Sequence, residues 1–114
     1  MDRANDQESR AVNDAPAFSI AEVASDGGDH EVRLAGELDL ASNPELADRL
    51  VAIAGSAVIL DLSELTFIDA SGLAVLLDAK QRIEMQGDRL ELRGARGLVA
   101  RVFEICGLVH LLSG

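Results

Sequence analysis

The density of apolar residues along the chain changes near residue 17. Residues 1–16 contain one apolar side chain larger than alanine after the initiator methionine, and it is Val12. A segment without a periodic apolar face cannot bury enough surface to offset the entropy lost on folding. We therefore predict a disordered tail over residues 1–16 and one domain over residues 17–114, a length that suits a single hydrophobic core.

Two stretches after the tail have the alternating pattern of β-strands. The first begins at Phe18 and ends in a Gly-rich turn at residues 26–29. We predict that His30 belongs to the same turn. The second covers residues 31–38, where apolar residues or glycine occupy every second position. Because strands with one wetter face alternate in this way, these two segments predict a β-hairpin.

A helix of about eleven residues is predicted next. Ser42 and Glu45 have the spacing of a capping box, in which the serine side chain accepts a backbone N–H of the first turn. Leu46, Leu50 and Ile53 then recur at helical spacing and predict the buried face, and Gly55 supplies the stop.

Residues 57–62 form a continuous apolar run that is partly β-branched. Such a run is typical of a strand buried on both faces. We predict that it is the central, parallel strand of the sheet. A second helix should then start around the sequence Asp69-Ala70-Ser71-Gly72 and end near Gly87, followed by a short strand at residues 89–93.

The third predicted helix ends at Gly107, and a last short strand at residues 109–112 follows it. We interpret Cys106 as a small core residue of this helix and His110 as partly covered. The buried stripe is predicted from three apolar residues at helical spacing, which are Leu98, Val102 and Ile105.

The order of these elements predicts the fold class. Helices that alternate with strands connect parallel strands by crossovers, and the first strand adds an antiparallel hairpin. We therefore expect a single α/β domain with a mixed, mostly parallel sheet of four to five strands packed with about three helices.

Composition excludes several classes of partner. The chain has 20 acidic and 10 basic residues and a formal net charge of −10, which disfavours binding to nucleic acid. Three phenylalanines, without tryptophan or tyrosine, leave few platforms for bases or sugars. One cysteine forms no intramolecular disulfide, and neither a membrane span nor a signal peptide is apparent, so we expect a cytoplasmic protein without a membrane partner.

Ser71 is the strongest candidate for chemistry. Its simplest role is that of the N-cap of the second helix. The same position would tolerate a phosphate on the serine, because free amides and the helix dipole stabilise an anion there. A catalytic serine would instead need a histidine base, and His30 and His110 lie elsewhere in the predicted order of elements, so we do not expect an enzyme.

Metal and nucleotide sites are less well supported. Asp39, Asp61 and Asp69 fall near strand ends and could cluster, but they lack the spacing of a calcium loop or of a zinc site. We interpret Asp61 as a capping or loop-anchoring residue. The glycines at residues 94–97 lack the pattern of a phosphate-binding loop, and we expect no cofactor.

Three motifs carry a resemblance to a known family. They are VRLAGELD at residues 32–39, VILDLS at residues 58–63 and FIDASGL at residues 67–73, and Gly107-Leu108 fits the same pattern. Together they resemble the STAS domain of bacterial anti-sigma factor antagonists, over about residues 18–112. Three motifs in one order and spacing are specific, whereas any one of them alone is weak.

The resemblance implies a partner-switching function without a metal or cofactor. The unphosphorylated protein, a monomer when free, would bind an anti-sigma factor that is also a serine kinase, and would thereby release a sigma factor. The kinase would phosphorylate Ser71, which dissociates the complex, and a separate phosphatase would reset it. Asp69, Ala70 and Gly72 would form the acceptor loop and Asp39 a neighbouring recognition loop.

Two departures from the family pattern are apparent, and two alternatives remain open. Ala70 stands where a hydroxyl residue is common, and the chain stops at Gly114, before a last helix that many members carry. One alternative keeps the fold but makes the protein an accessory subunit of a membrane transporter or a scaffold module of a stress-signalling complex. The other has the acidic strand ends bind a nucleotide or a metal ion.

Overall fold

The computed structural model describes residues 18–24, 29–53 and 57–113. The predicted tail, most of the predicted turn at residues 26–29 and the predicted helix stop at Gly55 lie outside the described residues. The elements in chain order are β1 (Ser19–Ala24), β2 (His30–Leu38), α1 (Asn43–Ala52), β3 (Val58–Ile68), α2 (Ala70–Met85), β4 (Leu90–Arg93), α3 (Gly97–Ile105), a 3₁₀ turn (Val109–Leu111) and β5 (Leu112–Ser113).

The strands form one five-stranded sheet in the order β1-β2-β3-β4-β5. β1 pairs with β2 antiparallel, and the other neighbours are parallel. This confirms the predicted α/β class, the mixed sheet and the central position of β3. His30 is the first residue of β2 rather than part of the turn, because it continues the pairing with β1 opposite Ala24.

The helices of the described residues cover one face of the sheet. The strands follow one another across the sheet in chain order, and right-handed crossovers between parallel strands then place α1, α2 and α3 on the same side. Burial along β3 agrees, since Leu60 is fully buried whereas Ile59 and Asp61 on the opposite face are half-buried. The prediction that this strand is buried on both faces was therefore wrong.

β3 continues six residues beyond the predicted strand. Its pairing with β2 shifts register twice, between Arg33 and Ala35 and between Gly36 and Glu37. Each shift inserts an extra residue into β3, so the buried residues at its end are three positions apart instead of two. These residues are Leu62, Leu65 and Ile68.

The buried face of α1 is as predicted, with Leu46, Leu50 and Ile53 in the core. The capping box was wrong, because the Ser42 side chain makes no cap hydrogen bond to the helix. Its hydroxyl instead donates to the Glu37 carbonyl at 2.9 Å and accepts the Asp39 backbone N–H at 3.0 Å. Ser42 therefore fastens the β2–α1 connection.

The predicted stripe of α3 was wrong for two of its three residues, and the third, Val102, packs against the core. Val99 and Phe103 are fully buried, whereas Leu98 is 51% and Ile105 is 71% exposed. Both stripes are apolar, and the stripe that buries the large Phe103 ring removes more apolar area from water.

The residues after α3 are more exposed than predicted. Cys106 and His110 are both exposed, since Cys106 directly follows the last helical residue and His110 lies on the 3₁₀ turn. Gly107 does end the helix as predicted, with a φ of 72° that favours glycine and with the Leu108 N–H bound to the Phe103 carbonyl.

Candidate functional site

The candidate site lies at the carboxyl ends of β2 and β3, where α1 and α2 begin. A backbone hydrogen bond from the Asp69 N–H to the Leu38 carbonyl, 3.2 Å long, joins the ends of the two strands. Parallel strands present their carboxyl ends at the same edge of a sheet, so residues that follow them become neighbours.

Asp69, not Ser71, is the N-cap of α2. Its Oδ1 accepts the Gly72 N–H at 2.8 Å, and its backbone is extended, as the N-cap position requires. Ser71 lies within the first turn of the helix and donates its hydroxyl proton to the same Oδ1 over 2.6 Å. The prediction of Ser71 as the N-cap was therefore wrong by two residues.

The Ser71 hydroxyl holds the pKa of Asp69 below the ordinary value of 3.8, with the Gly72 N–H as the next cause. Both groups donate to the carboxylate and thus favour its charged form. At neutral pH, Asp69 is an anion that accepts two hydrogen bonds and fixes the rotamer of Ser71.

Gly72 allows α2 to approach the end of β2. A Cβ atom at this position would lie 2.7 Å from the Leu38 carbonyl oxygen and 2.9 Å from Leu38 Cγ. Glycine is therefore required by packing and not by its dihedral angles. Ala70 is exposed at the start of the same helix.

Asn43 is a site residue that the sequence analysis did not identify. It is the first residue of α1 and is 8% exposed, and its Nδ2 donates to Ser71 Oγ at 2.8 Å. The Ser71 oxygen is thus held between Asn43 and Asp69. Only the order of the strands could have indicated this contact. Asn43 follows β2 and Ser71 follows β3, and these strands are parallel neighbours.

Asp39 shapes the connection between β2 and α1. Its Oδ1 accepts the backbone N–H groups of Ala41 and Ser42 at 3.1 and 3.2 Å, and its carbonyl accepts the Asn43 N–H at 2.9 Å. Asp39 therefore reaches Ser71 through Asn43, which it helps to position.

Comparison with known proteins identifies the family of the chain. The family model described as "Mlab, STAS domain" matches residues 21–113. The chain belongs to the STAS-domain family. It is 30% identical over 94 residues to an anti-sigma-B factor antagonist of Bacillus subtilis (strain 168), with 81% of this chain and 86% of the relative covered.

Solved structures share the fold of this STAS domain. The anti-sigma factor antagonist SpoIIAA in its unphosphorylated form has a TM-score of 0.68 and 25% identity, over 85% of this chain and 86% of that one. The Bacillus cell fate determinant SpoIIAA in the phosphorylated form has a TM-score of 0.65 and 24% identity, over 85% and 89% of the two chains.

The β2–α1 connection, which Asn43 links to Ser71, is acidic and carries an exposed leucine. Glu37, Asp39 and Glu45 line a shallow cleft on the β2–α1 connection of the STAS domain. Leu40 in the same connection is 76% exposed. Carboxylates beside a large exposed apolar residue are a surface on which a protein partner can dock.

Asp61 does not join the other two aspartates. It lies within β3 on the sheet face opposite the helices, where its Oδ1 accepts the Ser63 N–H at 2.9 Å and anchors the strand next to its first register shift. Ser63 is also the main cause of its lowered pKa, and Arg33 and Arg93 add to the effect. Within the described residues, the STAS domain has no group of His, Cys, Asp or Glu side chains arranged for a metal.

Among the described residues, no helix is both long enough and apolar enough to cross a bilayer.

Proposed function

We propose that this STAS domain is an anti-sigma factor antagonist and that phosphorylation of Ser71 controls its binding to the anti-sigma factor. The name of the Bacillus subtilis relative supports the first part. The observation that carries the second part is the Ser71 hydroxyl, held between Asp69 and Asn43 on an acidic surface. The protein acts in the cytoplasm by binding, and not by catalysis.

The proposed modification is a phosphoryl transfer from ATP. Ser71 Oγ attacks the γ-phosphorus of ATP in the active site of a serine-kinase anti-sigma factor, the bond from that phosphorus to ADP breaks, and the hydroxyl proton is released. A separate phosphatase hydrolyses the ester and restores the serine. Neither step requires a metal or cofactor bound by the STAS domain itself.

Phosphorylation changes the local charge more than the fold. It adds about 1.5 to 2 negative charges at pH 7 to a residue that contacts Asp69, while Asp39 and Glu45 line the cleft of the β2–α1 connection. Like charges brought together at an interface cost up to several kcal/mol, and about 1.4 kcal/mol is tenfold in affinity. One phosphate is thus sufficient to dissociate a micromolar complex.

The test uses the purified anti-sigma factor from the same organism. Incubation with ATP and Mg²⁺ should add one phosphate to Ser71, identified by peptide mass spectrometry, and none to the Ser71→Ala variant. Calorimetry should show tight binding of the unmodified protein and of Ser71→Ala, and binding at least tenfold weaker for Ser71→Asp. Ser19→Ala, which changes an exposed serine of β1, serves as the matched control and should behave as wild type.

The outcome also separates this function from the accessory-subunit alternative. If Ser71→Asp binds as tightly as wild type and the kinase adds no phosphate to Ser71, the proposed function is wrong. Stable copurification with a permease or an ATPase subunit, unaffected by Ser71 substitution, would support the accessory role instead.

A further inference from the structure

The side chain of Asn43 has two polar atoms, and the contact with Ser71 uses one of them. Nδ2 donates to Ser71 Oγ, whereas Oδ1 is buried without a hydrogen-bond partner among the described residues. A buried unpaired acceptor is destabilising, and an apolar side chain of the same shape would avoid this cost. The amide at this position is therefore better explained by what its donor does for Ser71 than by packing.

Phosphorylation reverses the relation between Ser71 and Asp69. In the unmodified protein, Ser71 donates its proton to Asp69 Oδ1 over 2.6 Å. Once Oγ is bonded to phosphorus, that proton is gone, and the phosphoryl oxygens are negatively charged acceptors. The phosphate and the Asp69 carboxylate then repel each other, so the phosphate turns away from Asp69.

The other hydrogen-bond partner of the same oxygen is a donor. Asn43 Nδ2 lies 2.8 Å from Ser71 Oγ and is fixed by the first turn of α1, whose backbone is tied to Asp39. The two charged residues bonded to Asn43 and Ser71, which are Asp39 and Asp69, carry carboxylates that cannot donate to a phosphate when ionised.

We propose that Asn43 Nδ2 holds the phosphate of phosphorylated Ser71 by donating to a phosphoryl oxygen, which fixes the phosphate at the start of α1. The ligand class is a phosphate monoester, and the inference rests on the proposed function in taking Ser71 as the modified residue. Asn43 is thereby a positioning residue of the switch, and it determines where the added charge faces the partner.

The experiment installs phosphoserine at position 71 during translation, so it needs neither kinase nor partner. On phosphorylation, the Asn43 side-chain amide resonances should shift downfield in ¹H–¹⁵N NMR spectra. A ³¹P titration measures the second pKa of the phosphate. This pKa should be roughly half a unit lower in the otherwise unsubstituted protein than in Asn43→Ala, because the Asn43 amide donor favours the dianion.

Two controls keep the result specific. Phosphoserine installed at exposed Ser19 should have a pKa that does not respond to Asn43→Ala. Asn43→Asp, which is nearly isosteric, should raise the pKa of the phosphate at position 71. If Asn43→Ala does not fold, the amide resonances and Asn43→Asp decide the question.

Unchanged Asn43 amide resonances on phosphorylation, together with equal phosphate pKa values in the unsubstituted protein and the Asn43 variants, would overturn the inference. This outcome is distinct from failure of the proposed function, which would be seen as a kinase that leaves Ser71 unmodified.

Discussion

Ser71 has one hydroxyl proton, which it donates in a hydrogen bond to Asp69. The same carboxylate oxygen caps α2 through the Gly72 N–H, so a single anion fixes both the helix start and the serine rotamer. A change at Ser71 therefore acts directly on Asp69, as it does on Asn43. The pKa of Asp69 provides a measure of this coupling.

We expect Ser71→Ala to raise the pKa of Asp69 toward its ordinary value of 3.8, because the Ser71 hydroxyl is the main cause that lowers it. A carboxyl group whose pKa is lowered on folding adds stability above its unfolded pKa, and loses that contribution as the pH falls through its folded pKa. The stability difference between wild type and Ser71→Ala should thus be larger at pH 7 than below pH 3.

Side-chain carboxyl ¹³C titration measures the pKa, and urea unfolding at the two pH values measures the stability. Asp61 is the internal control, since Ser63 and not Ser71 lowers its pKa. An Asp69 pKa that is the same in both proteins would contradict the hydrogen bond.

Gly72→Ala should destabilise the domain by about 1–3 kcal/mol, the usual cost of overpacking a close contact. The added methyl would meet the backbone oxygen of Leu38, which cannot turn aside as a flexible side chain can. Ala74→Ser, at an exposed position of α2, should change stability by less than about 0.5 kcal/mol. Equal urea midpoints for the two variants would show that α2 has room to move.

The sequence predicted the candidate site only in part. The motif around Ser71 identified Ser71, Asp69 and Gly72 as one loop, but the choice of N-cap between two suitable residues depends on the backbone. Asn43 was missed because its role requires contact across 28 positions of sequence. Local patterns carry no information on such a pair until the strand order is known.

At the scale of elements, α3 shows the limit of helical periodicity. The helix offers two adjacent apolar stripes, and of the three residues that predicted the buried one, Leu98 and Ile105 are exposed. Burial is decided by which stripe fills the space above β3, and the aromatic ring of Phe103 fills more of it than Ile105 does. The volume of a side chain here outweighs its position in the pattern.

Phe103→Ala should therefore destabilise the domain by about 3–5 kcal/mol, and Ile105→Ala by less than about 0.5 kcal/mol. The pair is matched, because both residues are large, apolar and near the end of the same helix, yet one is fully buried and the other 71% exposed. Urea denaturation gives both values. If Phe103→Ala does not fold, Val99→Ala, also fully buried, should still be more costly than Ile105→Ala.

β3 was predicted too short because its second half, like α3, departs from the expected periodicity. Its second half has buried residues three positions apart, and a strand is recognised by a period of two. The two register shifts reconcile the spacing with the sheet, and Thr66 Oγ1 donates to the Gly36 carbonyl at 3.1 Å beside them. Such irregularities are set by pairing with β2 and are not visible in one strand alone.

At the scale of the whole molecule, the one-sided placement of the helices separates two surfaces. The open face of the sheet carries charges in register across three strands, with Arg33 opposite Asp61 and Asp61 opposite Arg93. Those charges are partly paired with one another, as Arg33 and Asp61 are at 3.9 Å. The acidic cleft lined by Glu37, Asp39 and Glu45 lies instead at the end of β2, so the net charge of −10 is not spread evenly over the molecule.

The position of charge, and not its total, should therefore determine how phosphorylation acts on binding. Glu45→Lys, on the same first turn of α1 as Asn43, and Glu104→Lys, on the distant α3, each raise the formal net charge by two units. In protein phosphorylated at Ser71, we expect Glu45→Lys to recover affinity for the anti-sigma factor on the order of three- to tenfold at low ionic strength. Glu104→Lys should recover none.

Calorimetry at low and high salt measures the affinity of both variants, and the recovered affinity should decrease as salt screens the site. Equal recovery by both variants would mean that total charge governs association, whereas no recovery by either would mean that the phosphate acts by its bulk.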